Sequence, residues 1–275
     1  MQQAKTITAV FGDLHAGSTL AIATPTFSVR TGQGDEQTTQ EANKVQQWLF
    51  TCWTDYWDWV KSLAGVRGKY RKHRIVALFM GETVDNVHHG TTQVLHDIDD
   101  QIDLSANLIT PVAALADGGL YGVMGTPAHS GPAGELDRAV LKRVGAKMID
   151  WALSLDIDGD IFDISHHGRA GQRDWTSAAS GVAAEVMLEY AKAGKKLPRW
   201  ILRGHNHTVD DTGERIAGTR CICTPAWQLR TAFGWKVAGN KMRSDIGALV
   251  IDGDVPRFER ARYHGEINER RTVRV

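Results

Sequence analysis

Apolar and polar positions divide this chain into short solid runs and longer periodic stretches. Thr6-Ile7-Thr8-Ala9-Val10-Phe11 is a buried-strand pattern that stops at Gly12-Asp13. Ile75 to Met80, Leu120 to Met124, Asp160 to Ile164 and Trp200 to Leu202 repeat it, stopping at Gly81, Gly125, Ser165-His166 and Arg203-Gly204. Between them the period becomes helical. Residues 41–63 carry Leu49, Trp53, Tyr56, Trp57 and Val60 on one broad face. Helices are also predicted over 92–116, 135–153 and 178–193, the second with Leu136, Val140, Leu141, Val144 and Met148 inward. Residues 18–40 are polar, with Gly32 and Gly34, and read as a long loop of the kind that carries function. The last part changes character: 219–224, 244–252 and 256–263 are short strands between glycine turns. Alternating strands and helices followed by strands fit two packed sheets flanked by helices.

Size and composition narrow the class. With 275 residues, 42% of them hydrophobic, and no linker, repeat or low-complexity tract, one domain over 1–275 is expected. No apolar run approaches the roughly 20 residues that span a bilayer, so no membrane partner is expected. The first residues lack a signal-peptide core, and a cytoplasmic location is expected. Three cysteines, Cys52, Cys221 and Cys223, argue against a disulfide framework, and the lack of a Cys-x-x-Cys pair argues against a zinc ribbon. Zero formal charge gives no sign of a general nucleic-acid track. The basic stretch Arg257 to Val275, with six arginines and three glutamates, is expected to be a solvated edge strand and tail.

The histidines change this picture. Eight of the eleven fall in five motifs, and each motif lies at or just beyond a predicted strand end, where α/β sheets gather ligands. The motifs are Asp13-Leu14-His15, Gly81-Glu82-Thr83-Val84-Asp85 with His88-His89, Gly125-Thr126-Pro127-Ala128-His129, His166-His167-Gly168 and Gly204-His205-Asn206-His207. Read as strand residues, Asp13 and His15 point the same way, and so do His205 and His207, which makes preformed ligand pairs. Of His166 and His167, one is expected to be a ligand, because adjacent side chains diverge. Glu82 can complete a second cation site; Asp85 is either an alternative ligand or a helix cap. His129 is either a ligand or a general acid. His88 and His89 lie further out, as substrate contacts or surface residues.

In this order the motifs resemble those of the calcineurin-like metallophosphoesterases, over roughly Thr6 to Arg262. The Gly-Thr-Pro-Ala-His form of the third motif resembles phage-encoded relatives. The resemblance implies a four-layer αββα sandwich, two mixed sheets flanked by helices, around a two-metal centre. It implies that Asp13, His15 and His207 hold one ion, that His166 and His205 hold the other, and that the carboxylate at position 82 bridges them. Two positions depart from the family pattern. Glu82 stands where the family has the shorter Asp, and Thr126 stands in the slot of a ligand Asn, with His129 shifted by two. His129 is therefore expected either to act as the catalytic histidine or to supply the missing ligand.

The implied chemistry is hydrolysis of a phosphate ester by a hydroxide that two divalent ions activate. The mixed imidazole and carboxylate donors suit manganese, iron, zinc or nickel without singling one out; manganese is expected first. Asn86 replaces the arginine that protein phosphatases carry in this motif, which favours a phosphodiester substrate, nucleic acid or nucleotide, over a phosphomonoester. Arg169, Arg173, Trp175 and Trp227 are candidate phosphate and stacking contacts for a nuclease. The helical spacing of Trp48, Trp53, Trp57 and Trp59 points instead to core packing. The alternatives are a phosphomonoesterase and a binding scaffold that has lost catalysis.

Overall fold

A computed structural model describes residues 5–32, 36–167, 178–213, 217–238, 244–258 and 262–263. Its first half contains β1 (Thr6–Phe11), β2 (Thr26–Arg30), β3 (Gln37–Glu41), α1 (Lys44–Leu63), β4 (Arg74–Phe79), α2 (Ile98–Leu115), β5 (Gly119–Val123), α3 (Pro127–Ser130) and α4 (Glu135–Arg143). There follow β6 (Met148–Asp150), β7 (Ala152–Ile157), β8 (Asp160–Ser165), α5 (Ala178–Lys192), β9 (Trp200–Arg203), β10 (Asp210–Asp211) and β11 (Arg220–Cys223). The last elements are α6 (Ala232–Ala238), β12 (Ile246–Gly247), β13 (Leu249–Asp252), β14 (Val255–Arg257) and β15 (Arg262–Tyr263).

The strands form a six-stranded sheet, β14-β13-β1-β4-β5-β6, and a five-stranded sheet, β10-β11-β9-β8-β7. β1, β4, β5 and β6 run parallel, as do β8, β9 and β11; β13, β14, β7 and β10 pair antiparallel. Alternate residues of these strands enter different cores. Val10, Leu78, Leu249 and Ile251 of the larger sheet meet Ile164, Leu202 and Ile222 of the smaller one. Their neighbours Ala9, Phe11, Ala77, Phe79 and Val250 pack outward under α1 and α2. On the other side, Ile201, Cys221 and Cys223 pack under α5. Helices, sheet, sheet and helix therefore make the four layers of an αββα sandwich. Strands buried on both faces read as solid apolar runs, which is why the sequence announces them so clearly.

Several elements differ from expectation. The expected loop over 18–40 contains the hairpin β2–β3, which packs Phe27 against Leu95 and Leu104. β3 is exposed along its whole length, so no burial pattern marked it. The helix expected from residue 92 begins at Ile98, because the Asp97 carboxylate caps the Asp99 and Asp100 N–H groups at 2.9 and 3.2 Å. The helix expected over 135–153 ends at Arg143. Gly145, with φ of 80°, turns the chain, and the Ala146 N–H closes on the Leu141 carbonyl at 2.9 Å. Met148, expected inward, lies on edge strand β6 and is 52% exposed. α6 was not anticipated.

The aromatic residues of α1 settle into the core as their spacing required. Trp53 and Trp57 meet Phe11 edge-on, with centroids 5.7 and 5.3 Å apart. Trp227 belongs to the same nest, fully buried and 5.1 Å from Trp53, so it is not the stacking contact the sequence suggested. Each such side chain contributes about 1.5–3 kcal/mol by leaving water. All three cysteines are buried and free. Among the described residues, no helix is long and apolar enough to cross a membrane.

Candidate metal centre

Five strands, β1, β4, β5, β8 and β9, deliver their carboxyl ends to one place, and each end carries one of the five motifs. The residues there are not extended. Asp13, His15, Glu82, His205 and His207 have φ of 50°, 47°, 63°, 70° and 52°. Strand alternation therefore does not make the two i, i+2 pairs converge; paired left-handed turns do. Such a conformation costs a residue with a side chain about 1–2 kcal/mol, and strain of this kind gathers at functional sites. Backbone bonds hold the turns together: the Asp13 N–H donates to Gly81 O at 2.8 Å and the Leu14 N–H to Glu82 O at 2.9 Å.

Glycines let these ends approach each other. A Cβ at Gly81 would lie 2.6 Å from His166 Nδ1, and one at Gly204 would lie 2.8 Å from Met80 O. One at Gly125 would overlap the Glu82 side chain. The motif glycines thus do more than turn the chain.

The acidic and imidazole groups form overlapping sets. Asp13, His15, Glu82 and His207 make the first, all buried. His15 Nε2 lies 3.1 Å from His207 Nε2 and 3.0 Å from Glu82 Oε2, and Asp13 Oδ1 lies 3.3 Å from His207 Nε2. Glu82, His166 and His205 make the second, with His166 Nε2 3.1 Å from Glu82 Oε1. Glu82 belongs to both, one oxygen to each. Asp13 Oδ2 and His166 Nε2 are buried with no hydrogen-bond partner. An unsatisfied buried polar atom costs about 1–3 kcal/mol. Imidazole nitrogens and carboxylate oxygens converging at about 3 Å, some of them left without a partner, are the arrangement that surrounds a divalent cation, so these residues fit such ions. His166 Nδ1 meets Met80 O at 2.6 Å, which leaves Nε2 as its free donor atom. His167 is exposed, and burial thus singles out His166.

The charges of the cluster favour positive charge on both sides of Glu82. Burial works against a charged His15, but Glu82 and Asp85 outweigh it and raise His15 to about 10. His166 is likewise raised to about 9 against its burial, chiefly by Glu82. Burial disfavours the Glu82 carboxylate, yet His129, His166 and His15 hold it well below the usual range. At His129 and His205 burial wins and lowers both to about 4.

Four further residues shape the centre. Asp85 caps no helix; it faces His15 Nδ1 at 3.4 Å and accepts from Gln228 and Gln93 at 3.1 and 3.2 Å. Asp85, His15 and His129 form a third set of groups, sharing His15 with the first. His129 Nδ1 lies 2.7 Å from Asp85 O, and its ring stands edge-on to His15, 4.4 Å away. Thr126 contributes from its side chain and backbone together: Oγ1 and N–H donate to Glu82 Oε1 at 2.5 and 3.2 Å. Asn86 Nδ2 donates to Ala128 O at 2.9 Å and joins the second motif to the third.

Asp137 escaped the sequence reading. Fully buried at the start of α4, it accepts from Glu82 N, Thr83 N, Thr83 Oγ1, Gly125 N and Ser130 Oγ at 3.1, 2.7, 2.7, 2.7 and 2.5 Å. It fastens the ends of β4 and β5 from behind. Asp137 looks like an ordinary acid in a helix's first turn, so no local signal marked it. Arg169, Arg173 and Trp175 lie outside the described residues, as does Gly168.

No protein-family model matches the chain, and no curated protein matches its sequence. Among solved structures, the chain is similar to an archaeal phosphodiesterase, at 12% identity over 91% of this chain and 97% of that one, with a TM-score of 0.43. It is similar to the sulfate thiohydrolase SoxB of Thermus thermophilus, in complex with glycerol, at 12% identity over 84% of this chain and 53% of that one, with a TM-score of 0.42. A single mutant of Vps29 from Entamoeba histolytica is 10% identical over 89% of this chain and 84% of that one, with a TM-score of 0.37.

Proposed function

We propose that this chain is a metal-dependent phosphoesterase of the calcineurin-like type that hydrolyses phosphodiesters. One observation carries the reading: a single buried carboxylate, Glu82, presents one oxygen to each of two ligand sets. Asp13, His15, His207 and Glu82 would hold one divalent ion, and Glu82, His166 and His205 the other. When bound, such ions lower the pKa of water and stabilise the charge that develops on phosphoryl oxygens. Manganese is the ion proposed first; the imidazole and carboxylate donors accept iron, zinc or nickel as well.

The remaining work falls to the chain's own groups. Glu82 is favoured over Asp85 as the bridge, because both Asp85 oxygens are engaged by Gln228 and Gln93. Asp85 holds His129 instead. The Asp85 carbonyl accepts from Nδ1–H of His129, so Nε2 is the atom at which His129 takes or gives a proton at the leaving oxygen. Burial keeps that ring neutral until it receives a proton.

The surroundings favour diesters over monoesters. Among the described residues, the strongest charges acting on His15, Glu82, His129, His166 and His205 come from other histidines and from carboxylates, with no lysine or arginine among them. Asn86, in the position of a phosphate-gripping arginine, spends its amide on Ala128 O. Among the described residues a monoester dianion finds no extra cationic donor of the kind it would need, whereas a diester carries one charge.

The test is turnover of bis(p-nitrophenyl) phosphate and of p-nitrophenyl phosphate after manganese loading, alongside metal analysis. The expected result is bound metal and faster hydrolysis of the diester. Near-zero metal after loading overturns the enzyme reading and leaves a binding scaffold. Faster monoester hydrolysis overturns the substrate class.

A further inference from the structure

The His88–His89 pair takes no part in the ligand sets, yet it leads from the centre to the surface. The His88 ring stands 4.2 Å from that of His129, and the His89 ring 5.0 Å from that of His88. His89 is exposed, and it stacks on Phe233 of α6, with centroids 4.3 Å apart and 26° between the planes. The segment leading into α6 is tied to the centre as well, since Gln228 donates to Asp85. Two residues beyond Phe233 in α6, and on another face of the helix, Trp235 is 43% exposed, with the Arg230 guanidinium 3.6 Å over its ring. A row of planar groups thus runs outward from the partly buried His129, through His88 and His89 to Phe233.

We propose that this row is a stacking wall for the base of a nucleotidyl phosphodiester, with His89, backed by Phe233, as its platform. The inference rests on the phosphodiesterase reading and adds a substrate class to it. A phosphate seated against the ligand sets directs its ester groups away from them, and the rings of His129, His88 and His89 line one way out. Stacking on such rings tolerates any base, because every base has a π face. Phe233 fixes the plane of the His89 imidazole, so little freedom remains to be lost on binding. A base held in a duplex offers no free face, so the wall takes an unpaired base.

The experiment compares two diesters on the manganese-loaded protein: thymidine 5′-(p-nitrophenyl phosphate) and methyl p-nitrophenyl phosphate, which has no base. The expected result is a kcat/KM about tenfold higher for the nucleotidyl ester, carried by KM, as a stacking contact would give. His89→Ala and Phe233→Ala should each lower that ratio several-fold. Because the ratio is taken within one variant, a general loss of folded protein does not move it. Equal rates for the two esters in the wild type, or an unchanged ratio in both variants, overturn the stacking wall while hydrolysis itself stands. Turnover of neither ester overturns the phosphodiesterase reading, and the wall with it. Competition identifies the source of the base: stronger inhibition by a thymidine dinucleotide than by thymidine monophosphate assigns it to a strand, and the reverse to a free nucleotide. Inhibition by neither overturns the proposal.

Discussion

The two ligand sets share Glu82 but are built differently. The first brings Asp13 and His15 from beyond β1 and His207 from beyond β9, so its four groups come from both sheets and all are buried. The second has His166 and His205 from the five-stranded sheet, and only Glu82 reaches it from the other side. Thr126, in position to approach that set, instead donates twice to Glu82. The first set thus has three groups besides Glu82, against two in the second. Both need Glu82, and the second depends more on how firmly that side chain is held.

Removing a ligand from the first set should have the largest effect. His207→Ala is expected to bring hydrolysis of bis(p-nitrophenyl) phosphate below detection and to lower metal content; full activity in that variant would falsify its assignment. His166→Ala should leave the first set intact, so that one ion per chain remains under calorimetry while hydrolysis falls by more than the roughly 100-fold that losing a residue behind a ligand costs. Loss of both ions in His166→Ala would mean that the sets are not separable.

Asp137→Ala touches neither set directly. It leaves buried N–H groups of Glu82, Thr83 and Gly125 without their acceptor, and a loss of about 3 kcal/mol is expected in urea unfolding. A change below about 0.5 kcal/mol would show that Asp137 is not the fastening of the strand ends. Thr126→Val is the finest probe of the comparison. It should weaken the second ion about tenfold and leave the first unchanged, with Thr126→Ser restoring the affinity. Equal weakening of both ions would make Thr126 a general support of the site.

What the sequence disclosed follows from where its signals lie. Solid apolar runs exposed the strands buried on both faces, and the glycines and histidines at their ends exposed the gathering of Asp13, His15, Glu82, His166, His205 and His207. Left-handed turns, rather than the strand alternation that their i, i+2 spacing implies, bring the pairs Asp13 with His15 and His205 with His207 together. The roles of Asp137 and Thr126 were illegible, since each depends on partners brought near only by the fold. β3 escaped because an exposed strand of polar residues pairs through its backbone alone. Trp227 misled because proximity in sequence to a motif says nothing about which side of the sheet a ring faces; it packs on Trp53 under α1.

The departure at position 82 becomes intelligible in the same terms. The Glu82 N–H is anchored to Asp137, while Thr126 holds its carboxylate between His15 and His166. The extra methylene is taken up between two fixed points. Shared bridging is tested most directly by counting ions in the wild-type protein and in Glu82→Ala after manganese loading and desalting, with circular dichroism confirming the fold. Shared bridging by Glu82 predicts two ions per chain in the wild type and loss of ions from both sets in the variant. Two ions per chain in both proteins would contradict it.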